Sequence, residues 1–424
     1  MNAWPDRFGA ARARRRFLFL QGPTTPFFAE VAAGLRALGH EAHRINVCWG
    51  DRLFWRGPGA VDFRGGLAEW PGFVARFLDE RAVTDLVLLG EQRPHHRAAI
   101  AAARARGVAV AVTDFGYIRP DWIVLERDGM GAESRFPRDP AAIRALAAAC
   151  PPADLSPRHA DSFPRQAAWD MAFHLASLLP FGFPRYESWL LHHPVPAYIG
   201  TGLRLLRRGR DTRRAAALLA ALRARGAPLY AFAMQMENDY SVRAYSPFPD
   251  NDGAIALAVG SFARAAPQDA RLLVKVHPLD PGLKAWGRRV RRIAEAAGAA
   301  GRVHFLDGAL PMDPVLEACR GVVTVNSTVG VRSIAMGRAT CALGRAIYDV
   351  PGLAWQGGLD AFWREAPPPD PELAEAFIRA IAGCLHVRGV FYARPGLDAA
   401  VAGTVRRLHL GALNVPLPEG AAAP

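Results

Sequence analysis

The chain has 424 residues, 51% hydrophobic and 21% charged, a globular composition that excludes an intrinsically disordered protein and leaves room for two or three domains. Its formal charge of +13 favours an anionic partner: nucleic acid, a membrane surface or an acidic substrate. Five scattered cysteines, with no CxxC and no His/Cys cluster, argue against a disulfide framework or a zinc site and for the reducing cytoplasm.

The basic run Arg12 to Arg16 precedes the apolar Phe17 to Leu20. That run is too short for a signal peptide, and Gln21-Gly22-Pro23 is not a small-residue cleavage site, so a first strand is expected. No apolar stretch approaches the ~20 residues that span a bilayer. A helix is expected from about 27 to 38, ending at Gly39, then strands over 43–47 and 85–89. Gly90 to Pro94 leads into a helix over about 95–105, and a strand over 108–112 ends in Thr113-Asp114-Phe115-Gly116-Tyr117. This alternation predicts a parallel, doubly wound sheet. Residues 137–200, rich in Pro, Ala and aromatics, read as helices and a linker. Arg204 to Arg225 carries eight arginines and reads as mostly helical, with Gly209 as an interruption. Its exposed charges fit either a solvated face or a membrane or partner patch.

The rhythm then restarts, with strands over 228–234, 272–276, 303–306 and 321–325. The helices between and after them are expected over 252–265, 283–297, around 316–318, from 330 to 337, over 371–385 and over 398–408. Two Rossmann-like halves, joined near 185–225, follow as the simplest α/β architecture. The expected divisions are 1–190 for the first half, 191–385 for the second, and 386–424 for a terminal helix and a disordered tail from Pro416 onward.

Of the 52 Lys and Arg residues only Lys275 and Lys284 are lysines. Lys275 stands at the end of an apolar strand beside His277-Pro278, and a compact ammonium suits a single phosphate oxygen. The strand over 321–325 ends in Asn326-Ser327-Thr328, a hydroxyl-rich strand-to-helix turn. In open α/β sheets ligands bind beyond the carboxyl ends of the strands. Lys275, His277, Gln235, Asn326, Ser327 and Thr328 are therefore candidate phosphate-site residues, while Ser327 and Thr328 also fit a purely structural helix cap. Glu91, Arg93 and Asp114 occupy matching positions in the first half. The chain lacks G-x-G-x-x-G, Walker A and G-x-S-x-G motifs, and no Asp-x-Asp stands out as a metal pair, so a dehydrogenase, an NTPase or a serine hydrolase is disfavoured. It also lacks a nucleic-acid reader motif, so no nucleic-acid partner is expected. A nucleotide-sugar glycosyltransferase is the leading class, with no cofactor and no metal.

Several stretches, in order, carry a more specific likeness: Gln21-Gly22-Pro23 with Phe27-Phe28, Gly90 to Pro94 with His96-Arg97, and Gly116 to Trp122. Gln235 to Asp239, Tyr245 to Phe248, Lys275 to Gly282, Val325 to Gly330, Ala346 to Asp349 and Leu359 to Trp363 continue it. In these the chain resembles the bacterial capsular-polysaccharide β-Kdo transferases and capsule export proteins, over residues 17–395. The resemblance implies a GT-B-like fold, two Rossmann-like domains facing each other across a cleft, with CMP-Kdo as donor and a phosphatidylglycerol-type lipid or the growing Kdo linker as acceptor. It places the protein at the inner face of the cytoplasmic membrane, with other capsule assembly proteins as further partners. It implies a retaining mechanism in which His277-Pro278 and Ser327-Thr328 hold the CMP phosphate, helped by Lys275. It also makes Asp114 the candidate nucleophile, with Glu91 and Asp121 in reserve and Arg93 and Arg119 clamping the sugar carboxylate. One departure stands out: two acidic residues are expected before Gly116-Tyr117, and this chain has Asp114-Phe115. The alternatives are a non-catalytic nucleotide-sugar or polysaccharide-binding accessory protein, or a transferase using UDP or GDP. Phe173 to Trp189, aromatic and basic, reads as either interdomain packing or a lipid-facing segment.

Overall fold

The computed structural model describes residues 14–237 and 239–418. Arg12, Asn238 and most of the expected disordered tail lie outside the described residues. Two compact units emerge. The first comprises residues 14–136, 146–189 and 379–418; the second comprises residues 137–145 and 190–378 apart from 238.

The first unit begins with strand β1 (Arg16–Phe19), helix α1 (Phe27–Ala37), β2 (Glu41–Asn46), α2 (Trp49–Phe54), β3 (Ala60–Asp62) and α3 (Trp70–Glu80). It continues through β4 (Asp85–Leu89), α4 (Pro94–Arg104), β5 (Ala109–Phe115) and β6 (Trp122–Arg127). Next in the chain comes helix α5 (Pro140–Ala148), most of which falls in the second unit, and then α6 (Phe163–Ala176), again of the first. The second unit holds α7 (Pro194–Ala224), β7 (Leu229–Ala233), α8 (Tyr240–Tyr245), α9 (Asn251–Ala265), β8 (Arg271–Lys275), α10 (Trp286–Ala296) and β9 (Val303–Leu306). After these come α11 (Met312–Ala318), β10 (Gly321–Thr324), α12 (Val329–Ala335), β11 (Ala339–Ala342) and α13 (Leu359–Glu365). Helix α14 (Pro371–Cys384), β12 (His386–Arg388) and α15 (Gly396–Leu410) close the chain.

The first sheet has the order β12-β6-β5-β4-β1-β2-β3. The alternation predicted a wholly parallel sheet, and this one is mixed. β6 runs antiparallel to β5, and β12 antiparallel to β6. The cause is local: residues 116–121 are too few for a crossover, which needs a dozen or more residues, so the chain turns back as a hairpin. Pairing with β6 also extends β5 beyond its expected end, so Asp114 lies inside the strand opposite Val124. Residues 386–418 do not stand apart as a third piece. Val387, Phe391, Leu397 and Leu408 share one core with Phe17, Phe27 and Leu35 on one face of this sheet. A second core, with Leu18, Trp70, Val74, Leu86 and Val112, covers the other face.

The second sheet is parallel, in the order β11-β10-β7-β8-β9. On β8 the pleat sends Leu272 and Val274 into one core and Leu273 into another with Ala215, Leu219 and Leu222 of α7. Lys275, two residues on, shares the face of Leu273. Gly209 does not interrupt α7, which is continuous for 31 residues.

Candidate functional site

In a doubly wound sheet the strand order reverses at one point, and the crevice there is the natural ligand site. In the second sheet that point lies between β7 and β10. The residues beyond their carboxyl ends are Gln235 and Asn326, and they bond each other twice. Gln235 Nε2 donates to Asn326 Oδ1 at 2.8 Å, and the Asn326 backbone N–H donates to Gln235 Oε1 at 3.0 Å. Asn326 Nδ2 donates to the carbonyl of Ser241 at 2.8 Å, and buried Asn251 donates to the carbonyl of Gln235 at 2.9 Å. Two side-chain amides thus lock the switch point through both of their polar ends. Ser241 and Asn251 went unforeseen, because only the strand order shows that they meet Gln235 and Asn326.

Ser327 and Thr328 follow directly, both half-buried. Ser327 Oγ accepts a weak local bond from the Val329 N–H at 3.2 Å, which leaves its proton for an outside acceptor. Thr328 makes no side-chain capping bond to α12. The turn is held from behind by Tyr348, whose hydroxyl donates to the Ser327 carbonyl at 2.9 Å. Its ring approaches so closely that a Cβ at Gly330 would stand 2.1 Å from it, so only glycine fits there.

On the neighbouring strand end, His277 is half-buried and Pro278 is exposed. His277 Nδ1 accepts from the Leu279 N–H at 3.1 Å, so in the neutral ring the proton sits on Nε2. Asp280 fixes the loop beyond, accepting from the Gly282 N–H at 2.8 Å, from Trp286 Nε1 at 3.1 Å and from Arg204 at 3.1 Å. Lys275 is buried, and burial pushes its pKa down to about 8, with Asp307 opposing the fall and Arg204 adding to it. It therefore belongs to the Asp307 side of the strand end, rather than to the Gln235–Asn326 pair. The chain's other lysine, Lys284, points into a cluster of Glu237, Asp250 and Asp252, with Nζ 2.9 Å from Asp252 and 3.5 Å from Asp250. Burial alone lowers its pKa, but the hydrogen bonds to Glu237 and Asp252 outweigh it and raise the value.

In the first unit the reversal lies between β1 and β4, beyond which stand Gln21 and Gly90 to Arg93. Arg93 donates to Gln21 Oε1 at 3.2 Å and lies over the Trp189 ring at 4.4 Å. Asp114 is half-buried, its Oδ1 accepting from the Phe115 N–H at 2.7 Å. Gly90, at φ +64°, faces its other oxygen, and a Cβ there would stand 3.8 Å from Oδ2. Arg119, exposed to solvent, lies over the Phe115 ring at 4.9 Å, where the Asp114 charge favours its cation. Phe115, where a second acid was expected, packs edge-on against Phe391 at 5.3 Å. Asp121 is not a reserve catalyst. It is fully buried and accepts from the backbone N–H groups of Arg158 at 2.7 Å and His159 at 3.0 Å, a structural tie.

Behind Glu91 lies a network that the sequence reading missed. Glu126 is fully buried in β6 and accepts from the hydroxyls of Tyr117 and Ser134. The Tyr117 hydroxyl in turn accepts from the Gly131 N–H at 2.7 Å. Burial pushes the Glu126 carboxyl up to about 7, the two hydroxyls oppose this, and the Glu91 charge adds to it. The only signal was an acid ending the apolar run Ile123-Val124-Leu125. Because the folded pKa lies above the ordinary 4.5, the folded state binds this proton more tightly, and stability falls as pH rises from about 4.5 through about 7. Glu126→Gln keeps an acceptor for Tyr117 and carries no charge. It is expected to match the wild type at pH 5 and exceed it at pH 8 by up to about 3 kcal/mol. Urea unfolding at both pH values checks this; equal gaps between the two proteins at pH 5 and 8 would overturn it.

The profile of the capsule polysaccharide biosynthesis protein family matches residues 84–392, most of the chain. The chain belongs to that family. It is 29% identical over 390 residues to the capsule polysaccharide export protein KpsS of Escherichia coli, spanning 89% of this chain and 97% of that one. It is likewise 29% identical over 391 residues to the capsule polysaccharide modification protein LipB of Neisseria meningitidis serogroup B, spanning 89% and 91%. Among solved structures, the beta Kdo 2,7 transferase of Thermosulfurimonas dismutans KpsC aligns over 92% of this chain and 99% of its own, at 11% identity and a TM-score of 0.43. For this capsule polysaccharide biosynthesis protein, the two doubly wound units and their switch points are established by its own strand order. Among the described residues no helix is long and apolar enough to cross a membrane.

Proposed function

We propose that this protein is a glycosyltransferase that moves Kdo from CMP-Kdo to a phosphatidylglycerol-type lipid, or to the growing Kdo linker, at the inner face of the cytoplasmic membrane. The reading joins the capsule family to the chemistry at the strand ends. The observation that carries it is Asp114, a half-buried carboxylate near the end of β5 with the Arg119 guanidinium beside it.

In this reading the donor phosphate sits at the ends of β8 and β10. His277 Nε2 and the hydroxyls of Ser327 and Thr328 donate to it, Gln235 and Asn326 hold the turn in place, and Pro278 fixes the loop after His277. Lys275 adds positive charge from beneath. Donors aimed at the leaving phosphate lower the barrier to its departure, because negative charge builds up there. Asp114 attacks the anomeric carbon; a carbon–carboxylate bond forms as the carbon–phosphate oxygen bond breaks, and its electron pair leaves with CMP. The acceptor hydroxyl then attacks the same carbon and frees the carboxylate, its proton passing to Glu91. Two inversions give net retention. Arg119 and Arg93 are the cations for the sugar carboxylate, a geometry that suits a guanidinium fork.

The test is CMP release from CMP-Kdo with a lipid acceptor present. Donor-dependent turnover is expected. CMP binding without turnover would favour a non-catalytic accessory protein, the reading to which Phe115 in place of an acid lends weight. No binding of CMP would sink both.

A further inference from the structure

Helix α7 presents two unlike faces. On one side Arg204 bonds Asp280 at 3.1 Å and also pairs with Asp307, and Thr212 Oγ1 accepts from the Ala309 N–H at 2.8 Å. Farther along, Ala215, Leu219 and Leu222 enter the core. At 100° per residue the opposite face carries Val195, Ile199, Leu203 and Leu206, at spacings of four, four and three. These four apolar side chains are exposed by 40%, 60%, 51% and 85%. A soluble helix normally turns such a stripe inward; the first half of this one turns Arg204 inward and its apolar stripe outward. The stripe runs on into exposed Arg210 and Arg213 and is flanked by exposed Arg207 and Arg214. No Asp or Glu occurs between Glu187 and Asp211.

We infer that this face of α7 docks on an anionic phospholipid surface, with Ile199, Leu203 and Leu206 entering the headgroup boundary and the arginines meeting lipid phosphates. The choice of occupant follows from charge. An apolar stripe bordered only by cations is the pattern of helices that lie in a negatively charged interface. A second copy of the same face would bring the five arginines of Arg207 to Arg214 against one another with a single acid per copy, Asp211, already paired with Arg210 at 3.2 Å. The inference rests on the proposed function in one respect: a lipid-linked acceptor would be met at the surface where α7 lies.

The test is co-sedimentation of the full chain, without donor, with vesicles of phosphatidylcholine alone or mixed with phosphatidylglycerol. Binding to the mixed vesicles, weakened by salt, is expected. Arg207→Glu and Arg210→Glu are each expected to weaken partitioning roughly fivefold or more. Ile199→Asp with Leu206→Asp is expected to weaken it by at least about tenfold. Because these side chains are exposed, thermal unfolding and CMP binding should not change. Failure of the wild type to bind mixed vesicles would overturn the inference. So would variants that bind like the wild type, or self-association that Leu206→Asp abolishes while vesicle binding persists. Loss of CMP binding in a chain that still binds vesicles would count against the transferase reading alone.

Discussion

Asp114→Asn is expected to lower donor-dependent CMP release by on the order of a thousandfold or more, while CMP still binds. The substitution is chosen for what it preserves. An asparagine keeps an oxygen that can accept from the Phe115 N–H, as Asp114 Oδ1 does at 2.7 Å, and its volume fits beside Gly90. Strand β5 and its pairing with Val124 should stand. What is lost is the negative charge and the ability to form an ester with the sugar. If Asp114 is the nucleophile, the wild-type chain incubated with donor and no acceptor should gain the mass of one sugar, and the variant should not. Glu91→Gln is expected to cost less, about ten- to a hundredfold, because a solvent molecule can take the acceptor proton in place of a general base. The reversed order, with Glu91→Gln inactive and Asp114→Asn within tenfold of wild type, would move the chemistry one strand over. The missing acid at Phe115 sharpens this test, since its ring packs against Phe391 and Arg119 instead of supplying a second carboxylate.

How much of this was legible in the sequence depends on how local each cause is. β4 and β9 were readable because their apolar runs are short and bounded by polar residues. Helix α3 carries Trp70, Val74, Phe77 and Leu78 at helical spacing, and that signal was present though unused. β12 was not readable, because its three residues become a strand only by pairing with β6, whose sequence lies far upstream. The same hairpin edge drew Asp114 into β5. The site followed the same division. Gln235, His277 and Asn326 were found as polar residues after apolar runs. That Gln235 and Asn326 bond each other is a consequence of β10 lying beside β7, which no local pattern encodes. Lys275 was picked out by its rarity. Its direction was recoverable from alternation with Leu273, and that direction takes it toward Asp307.

That distinction separates two residues assigned to the same phosphate. His277→Ala removes a donor held in place by the Leu279 N–H, and a single preorganised donor to a leaving group is worth about a hundred- to a thousandfold in rate. A loss of that size in turnover is expected, with a smaller loss in CMP affinity, because the donor matters most as charge builds on the phosphate. Lys275→Met fits an apolar chain of similar length into a buried place and removes only charge at a distance, so a loss of about tenfold or less is expected. The pH dependence checks the assignment independently. Lys275 has a pKa lowered to about 8, so its charge is present below that pH and lost above it. CMP affinity should therefore fall between pH 7 and pH 9 in the wild type and stay flat in Lys275→Met. Bound phosphate favours the ammonium, so binding near pH 8.5 should be accompanied by proton uptake, read as a buffer-dependent heat in calorimetry. If Lys275→Met costs more than His277→Ala and the wild type takes up no proton, the histidine is a loop anchor. The phosphate would then have to be held by Ser327 and Thr328 without it.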